Sequence, residues 1–236
     1  MMVEYAVILP TYNEKGNLRA VVEAIGRAMS KVDYEIWVVD DNSPDKTYEE
    51  ARSLAKEFPI HLIRRPKKMG LASAVVTGFL SSSANKLICM DSDGQHDARV
   101  LPVMINMFGK GADIIVGSRF LGDVSEEWGQ RRNLMSKVAT ALANPFTKIK
   151  DPMSGCFAVK RELVEQISRW EMVGYKILLE ILVKSPDAIV YEVPIHFGAR
   201  QYGSSKLNWR EVWRYLLLLW RLFLYKVKNK QRPKQN

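Results

Sequence analysis

Residues 87–96 read Leu87-Ile88-Cys89-Met90-Asp91-Ser92-Asp93-Gly94-Gln95-His96: four apolar residues, then an abrupt change to acids and amides. A short apolar run without polar alternation is the pattern of a strand buried on both faces. The same pattern recurs at Tyr5 to Leu9, Ile36 to Val39, Ile60 to Ile63 and Ile114 to Val116. Between these runs apolar residues return at helical spacing, as in Leu18, Val21, Val22, Ile25 and Met29. Helices are expected over Asn17 to Met29, from a Ser43-Pro44 cap to about Phe58, over Ala72 to Leu80 and over Val100 to Phe108. Strands separated by helices make an α/β architecture, a parallel sheet covered on both faces.

In such sheets ligands collect at the carboxyl ends of the strands. Four of those ends are polar here: Pro10-Thr11-Tyr12-Asn13-Glu14, Asp40-Asp41-Asn42-Ser43, Asp91 to His96, and Gly117-Ser118-Arg119. No Gly-x-Gly-x-x-Gly and no Gly-Lys-Ser/Thr loop is present, which argues against dinucleotide and P-loop folds. Residues two apart in extended chain point to the same side, so Asp91 and Asp93 can meet one hard divalent cation, with Gln95 next along. An isolated Asp-x-Asp reads as a solvated turn, but this one ends a central strand near a second acidic pair, and a cation there would neutralise a diphosphate. Asp40-Asp41 can accept hydrogen bonds from a nucleobase and a ribose, or cap the next helix. Tyr12 and Glu14 either wall a nucleotide or form a turn and a first-turn acid.

The chain has 236 residues, 47% apolar and 26% charged, which suits one large globular domain with appendages and excludes a disordered or collagen-like chain. Cys89 and Cys156 are too few and too far apart for a disulfide framework or a thiolate zinc site, and a reducing, cytosolic setting is expected. Of the net charge of +9, residues 201–236 carry +8. No secretory leader is expected, and the run Tyr215 to Trp220, cut by Arg221, is too short to span a bilayer. Beyond residue 120 the alternation weakens. Helices are expected over Arg131 to Leu142, Arg161 to Ser168 and Tyr175 to Val183, with a strand at Ile189 to Val193, as a substrate cap on the same sheet. The terminal helix, Trp209 to Tyr225, mixes Trp209, Trp213, Trp220 and leucines with Arg210, Arg214 and Arg221. With the basic tail it suits a surface of anionic lipid head groups; the other readings are a helix packed on the enzyme or in an oligomer. Its aromatics lie among leucines, so a nucleic-acid partner is not expected.

Taken together with Asp151-Pro152-x-Ser154-Gly155, Trp128 with Arg132 and Ser136, Gly174-Tyr175-Lys176 with Glu180, Glu192-Val193-Pro194 and Tyr202-Gly203-x-Ser205-Lys206-Leu207, the strand-end motifs resemble the GT-A family 2 glycosyltransferases, and within them the dolichyl-phosphate mannose synthases. The resemblance runs from about Tyr5 to Leu207. Departures are Lys46 in place of a usual glycine, Ser92 in place of alanine and Ser204 in place of a frequent glutamate. It implies a Rossmann-like GT-A catalytic domain over 1–207, its nucleotide half about 1–120 and its acceptor half about 121–207, followed by an amphipathic helix and tail over 208–236. The implied reaction is inverting transfer of mannose from GDP-mannose to dolichyl or another polyprenyl phosphate, giving dolichyl phosphate mannose and GDP. The resemblance places the nucleotide sugar at Pro10, Tyr12, Glu14, Val39, Asp40, Asp41, Gly70, Asp91, Ser92 and Asp93. Mg or Mn would sit at Asp91, Asp93 and Gln95, and the acceptor phosphate at Arg119, Arg132, Ser136, Arg200 and Lys206. Asp91, Asp93, Arg119 and Arg200 are the expected catalytic residues.

An independent argument bears on the acceptor. A sugar hydroxyl needs a general base, whereas a lipid phosphate is already an anion at neutral pH and needs cations to hold it. Three alternatives stay open: a UDP-glucose or UDP-N-acetylglucosamine donor, a hydroxyl acceptor with Asp151 as base, and a silent subunit that binds nucleotide sugar. Gln166-Ile167-Ser168-Arg169-Trp170 also matches the Q-x-x-R-W pattern of processive polysaccharide synthases, but the several membrane spans of those enzymes are absent from this sequence. The expected location is peripheral, at the cytoplasmic face of a membrane, and the need for a separate membrane subunit stays open.

Overall fold

The computed structural model describes residues 3–122, 130–198 and 209–230. The apolar runs become strands β1 (Tyr5–Thr11), β2 (Tyr34–Asp40), β3 (Ile60–Arg64), β4 (Lys86–Cys89), β5 (Ile114–Ser118), β6 (Phe157–Lys160) and β7 (Val190–Pro194). They form one sheet in the order β3-β2-β1-β4-β6-β5-β7. Pairing is parallel except around β6, which runs antiparallel to both β4 and β5. The parallel register sets Thr11 opposite Asp40 and Ile8 opposite Cys89, so the polar segments after β1, β2 and β4 leave the sheet side by side.

Successive residues of a strand point to opposite faces, and both faces are apolar. Val7, Leu9, Ile36, Val38 and Ile88 pack under α1 (Lys15–Ala28) and α4 (Leu101–Gly109). Ala6, Ile8, Val39, Leu87, Cys89 and Phe157 pack under α3 (Leu71–Ser81), α6 (Arg161–Glu165) and α7 (Ile177–Lys184). A third cluster joins Leu179 and Val183 of α7 to Ala143, at the end of α5 (Gln130–Ala143), and to Tyr215, Leu218 and Leu222 of α8 (Trp209–Lys230). Every residue of α7 from Ile177 to Val183 is buried, as expected of a short helix with the sheet on one side and another helix on the other. Cys89 and Cys156 are unpaired and buried, and burial pushes both thiols up.

The helix expected over Arg161 to Ser168 ends at Glu165 and the one expected from Tyr175 starts at Ile177, while the start of the helix after β2 differs for a reason visible in its loop. Ser43-Pro44 does not cap a helix; α2 spans Thr47–Leu54. Asp40 takes the Ser43 amide and hydroxyl into a tight turn, and Asp45 then accepts from the Thr47 amide and hydroxyl. Between them Lys46 is left-handed, with φ 68°. The position at which the resemblance expects glycine is thus one that favours glycine, since a left-handed L-residue costs about 1–2 kcal/mol. The exposed Lys46→Gly variant should raise the unfolding free energy measured in urea, by up to about 1 kcal/mol after the extra flexibility of the unfolded chain is subtracted.

Candidate active site

The loops after β1 and β2 are built around two aspartates. Asp40 is completely buried, and its oxygens accept from Ser43 N, Ser43 Oγ and Thr11 Oγ1. These contacts shape the turn after β2. Asp41 accepts from Arg65 Nη2 and Met69 N through Oδ1, and from Gly70 N through Oδ2. Arg65, also buried, donates to Ser73 Oγ and the Gly70 carbonyl. This clamp holds segment 65–70 over the crevice and gives Gly70 its φ of +98°. The Val39 side chain belongs to the core. Tyr12 lies under the Lys68 ammonium, 3.6 Å from the ring centroid. Glu14 is buried at the start of α1 and accepts from Asn17 Nδ2 at 2.8 Å. Ser92 Oγ donates to the Pro10 carbonyl at 2.8 Å, tying the ends of β1 and β4 together. Arg65 and Lys68 follow the third strand, a strand end whose basic run 64–68 was a usable signal.

Asp91 stands at the centre, its side chain about one-third exposed (32%). A Cβ on Gly155 would sit 2.2 Å from Asp91 Oδ2, so only glycine lets the loop before β6 approach this carboxylate. Asp91 Oδ2 pairs with His96 Nε2 at 3.3 Å, while Oδ1 has no hydrogen bond among the described residues. Burial works against its ionisation, but the His96 contact and the nearby Lys176 and Arg119 charges hold the carboxyl below the usual aspartate range. Asp93, buried, accepts from Gln95 N at 3.1 Å. The Gln95 side chain donates to the Gly198 carbonyl at 3.0 Å through its nitrogen, so its oxygen is the atom suited to a cation. His96 packs edge-on against Phe197, whose ring centroid is also 5.6 Å from the Arg119 guanidinium.

Arg119 is held by a fork. Its Nε and Nη2 each donate to Asp151 at 2.7 Å, and its backbone amide donates to the same carboxylate at 3.0 Å. Asp151 is fully buried; burial opposes its charge, but Arg119 hydrogen bonds and charge keep it below the ordinary carboxylate range. Lys176, just before α7, donates to the Met153 carbonyl and acts on both Asp91 and Asp151. Lys176 and His96 are site residues that the expected set omits, although both sit in quoted motifs. Ser136 is half-buried on α5. Arg200 and Lys206 lie outside the described residues, as does the Arg132 side chain.

Among the described residues no three His, Cys, Asp or Glu side chains gather to hold a metal. Asp91 with an oxygen to offer, beside Asp93 and the Gln95 amide, nevertheless fits a hard cation that takes its other ligands from phosphate oxygens and water, the habit of Mg2+. The buried Arg119–Asp151 pair generates a stability test. Asp151→Asn leaves a buried guanidinium without its counter-charge and should cost about 3–5 kcal/mol in urea unfolding. Because the folded Asp151 value is lowered, its contribution is complete above the ordinary value of about 4 and fades as pH falls through the folded one, so the deficit should shrink on acidification.

Residues 6–168 match the family Glycosyl transferase family 2. The dolichol-phosphate mannosyltransferase of Pyrococcus furiosus is 42% identical over 222 residues, covering 92% of this chain and 63% of that protein, so the chain spans less than two thirds of that relative's length. The dolichol-phosphate mannosyltransferase of Saccharomyces cerevisiae is 34% identical over 239 residues, covering 96% of this chain and 89% of its own. Among solved structures, glucosyl-3-phosphoglycerate synthase from Mycobacterium tuberculosis, in complex with Mn2+, UDP and glucosyl-3-phosphoglycerate, superposes with a TM-score of 0.68 at 20% identity, over 94% of this chain and 79% of that one. That likeness is one of fold, and the seven-stranded, mostly parallel sheet is accordingly of the GT-A type. With the match covering most of the sheet and both carboxylate loops, the chain belongs to glycosyl transferase family 2.

Proposed function

We propose that this family 2 glycosyltransferase transfers mannose from GDP-mannose to dolichyl or another polyprenyl phosphate, releasing GDP, at the cytoplasmic face of a membrane. The names of its relatives support the sugar and the acceptor class. The observation that carries the reading is the state of Asp151. The carboxylate that a hydroxyl acceptor would use as base is fully buried, gripped by Arg119 and kept ionised without an exposed face. A phosphate acceptor needs no base: its oxygen attacks the sugar C1, the bond from C1 to the diphosphate oxygen breaks, and the configuration inverts.

The chain's own residues then divide the work. Pro10, Tyr12, Glu14, Asp41 and Gly70 line the donor side, with Asp40 and Ser92 fixing the loops beneath them. Lys176 and Arg119 supply positive potential beside Asp91, and Arg132, Ser136, Arg200 and Lys206 complete the acceptor set. Mg2+ or Mn2+, held by Asp91, Asp93 and Gln95, would offset the charge that develops on the departing diphosphate.

α8 suits the same reading. No helix among the described residues is long and apolar enough to cross a membrane. Yet Trp209, Trp213, Leu216, Trp220, Phe223 and Val227 are exposed along one stripe of it, with Arg210, Arg214, Arg221 and Lys228 along the neighbouring flank. Residues 1–207 would thus be the catalytic unit and 208–236 the interfacial element.

Release of nucleoside diphosphate from GDP- and UDP-sugars, with and without a short polyprenyl phosphate, tests the proposal. GDP release from GDP-mannose should require the lipid phosphate, stop in chelator, and fall about 100-fold or more in Asp91→Asn. Turnover with a UDP-sugar instead would replace the donor, and turnover with a hydroxyl acceptor would overturn the acceptor.

A further inference from the structure

A cleft of about 570 Å³ lies between the segment that follows α6 and the last turns of α8, lined by Gln166, Ser168, Arg169, Lys184, Arg221 and Lys228 among others. That volume is in the range of small-ligand sites. It is remote from Asp91: α7 starts beside Lys176 and reaches the cleft only at Lys184, eight residues or about 12 Å along the axis.

Its walls are built around a buried charge pair. Lys184 and Glu180 have side chains only 3% and 2% exposed and lie 2.6 Å apart. A pair this deep gains little net stability, but it organises the neighbouring backbone: Lys184 Nζ donates to the Arg169 carbonyl, and Glu180 Oε1 accepts from the Glu171 amide. Glu171 in turn pairs with Arg221 of α8 at 3.2 Å. The network therefore uses two carboxylates against Lys184 and Arg221. Arg169 and Lys228 remain, both exposed and without a side-chain partner among the described residues. Four cations against two acids leave an excess of two positive charges on a fixed frame, which matches a phosphate group. Exposed Leu224, also in the lining, continues from the cleft into the apolar stripe of α8.

We infer that this cleft is a second phosphate-binding site, separate from donor and acceptor, in which Arg169 and Lys228 hold a phosphate group that reaches them from a lipid head group or from solution. The chemistry stands on the cleft alone, whereas the lipid source rests on the membrane-facing reading of α8.

The test uses the full chain, and its vesicle arm uses charge-preserving variants, so that unspecific attraction to an anionic surface is unchanged there. Arg169→Lys keeps the charge and loses the planar fork; Arg210→Lys, on the flank of α8 that carries Lys228 but outside the cleft, is the control. Partition onto phosphatidylcholine vesicles containing phosphatidylglycerol is measured alongside the rise in thermal midpoint with inorganic phosphate at constant ionic strength. A fivefold or greater loss of partition in Arg169→Lys, against less than twofold in Arg210→Lys, supports the head-group source. A phosphate-induced rise in midpoint that disappears in Arg169→Lys and in Lys228→Gln supports the soluble source. If both responses are the same in wild type, Arg169→Lys and Arg210→Lys, the site does not exist. Urea midpoints establish that the variants are folded, and mannosyl transfer in Arg169→Lys keeps failure here distinct from failure of the catalytic reading.

Discussion

The fork between Arg119 and Asp151 is the contact on which the site depends. It joins the end of β5 to the loop that feeds β6, the one strand that runs against its neighbours. Because β6 lies between β4 and β5, the residues just before it pass over the carboxyl ends of both. Within five residues the loop binds Arg119 through Asp151, the Gly117 carbonyl through Ser154 Oγ at 2.6 Å, and touches Asp91 at Gly155. A buried guanidinium and a buried carboxylate must answer each other or destabilise the fold. The need to satisfy them therefore holds the loop in the position that presents Asp91.

Burial also sorts the acids at the strand ends by what they can do. A carboxylate without access to water has to be met by protein donors, and Asp40, Asp41 and Asp151 are met by hydroxyls, amides and arginines. Those groups build loops. Asp91 is different: among the described residues it keeps one oxygen without a hydrogen bond, and a third of its side chain is in contact with solvent, while His96, Lys176 and Arg119 keep it ionised. It combines a fixed position with unused ligand capacity, which is what a group that meets a diphosphate and its cation requires.

The sheet was legible in the sequence because a strand buried on both faces leaves an unbroken apolar run, and all five runs noted there became strands, although β3, at the sheet edge and interrupted by His61, is only partly buried. The crevice was legible because acids and amides directly after such runs have few structural uses. What could not be read was the partner of each acid. Asp40 and Asp41 sit next to each other, yet one closes a turn with Ser43 and the other clamps Arg65 and Gly70, a distinction made by tertiary contacts 24 and 29 residues away in the case of Asp41. Sequence spacing likewise carries no sign of the antiparallel direction of β6, since Phe157–Lys160 is only four residues long. Lys176 escaped for a related reason: it precedes a helix, and only the packing of that helix under β6 and α8 brings its ammonium to Asp91.

That packing connects the site to the outer surface. α7 is packed on both sides; Leu178 and Ile181 face the sheet while Leu179 and Val183 face Tyr215, Leu218 and Leu222 of α8. Tyr215 adds a hydrogen bond from its hydroxyl to the Ala139 carbonyl of α5 at 2.6 Å. The face of α8 that docks is therefore opposite the stripe that carries its exposed tryptophans. In the proposed orientation on a membrane, one rigid apolar contact sets the height of Lys176, and with it the whole crevice, above the lipid surface. A lipid-borne phosphate has a short reach, so a packed helix positions such an acceptor better than a flexible tether would.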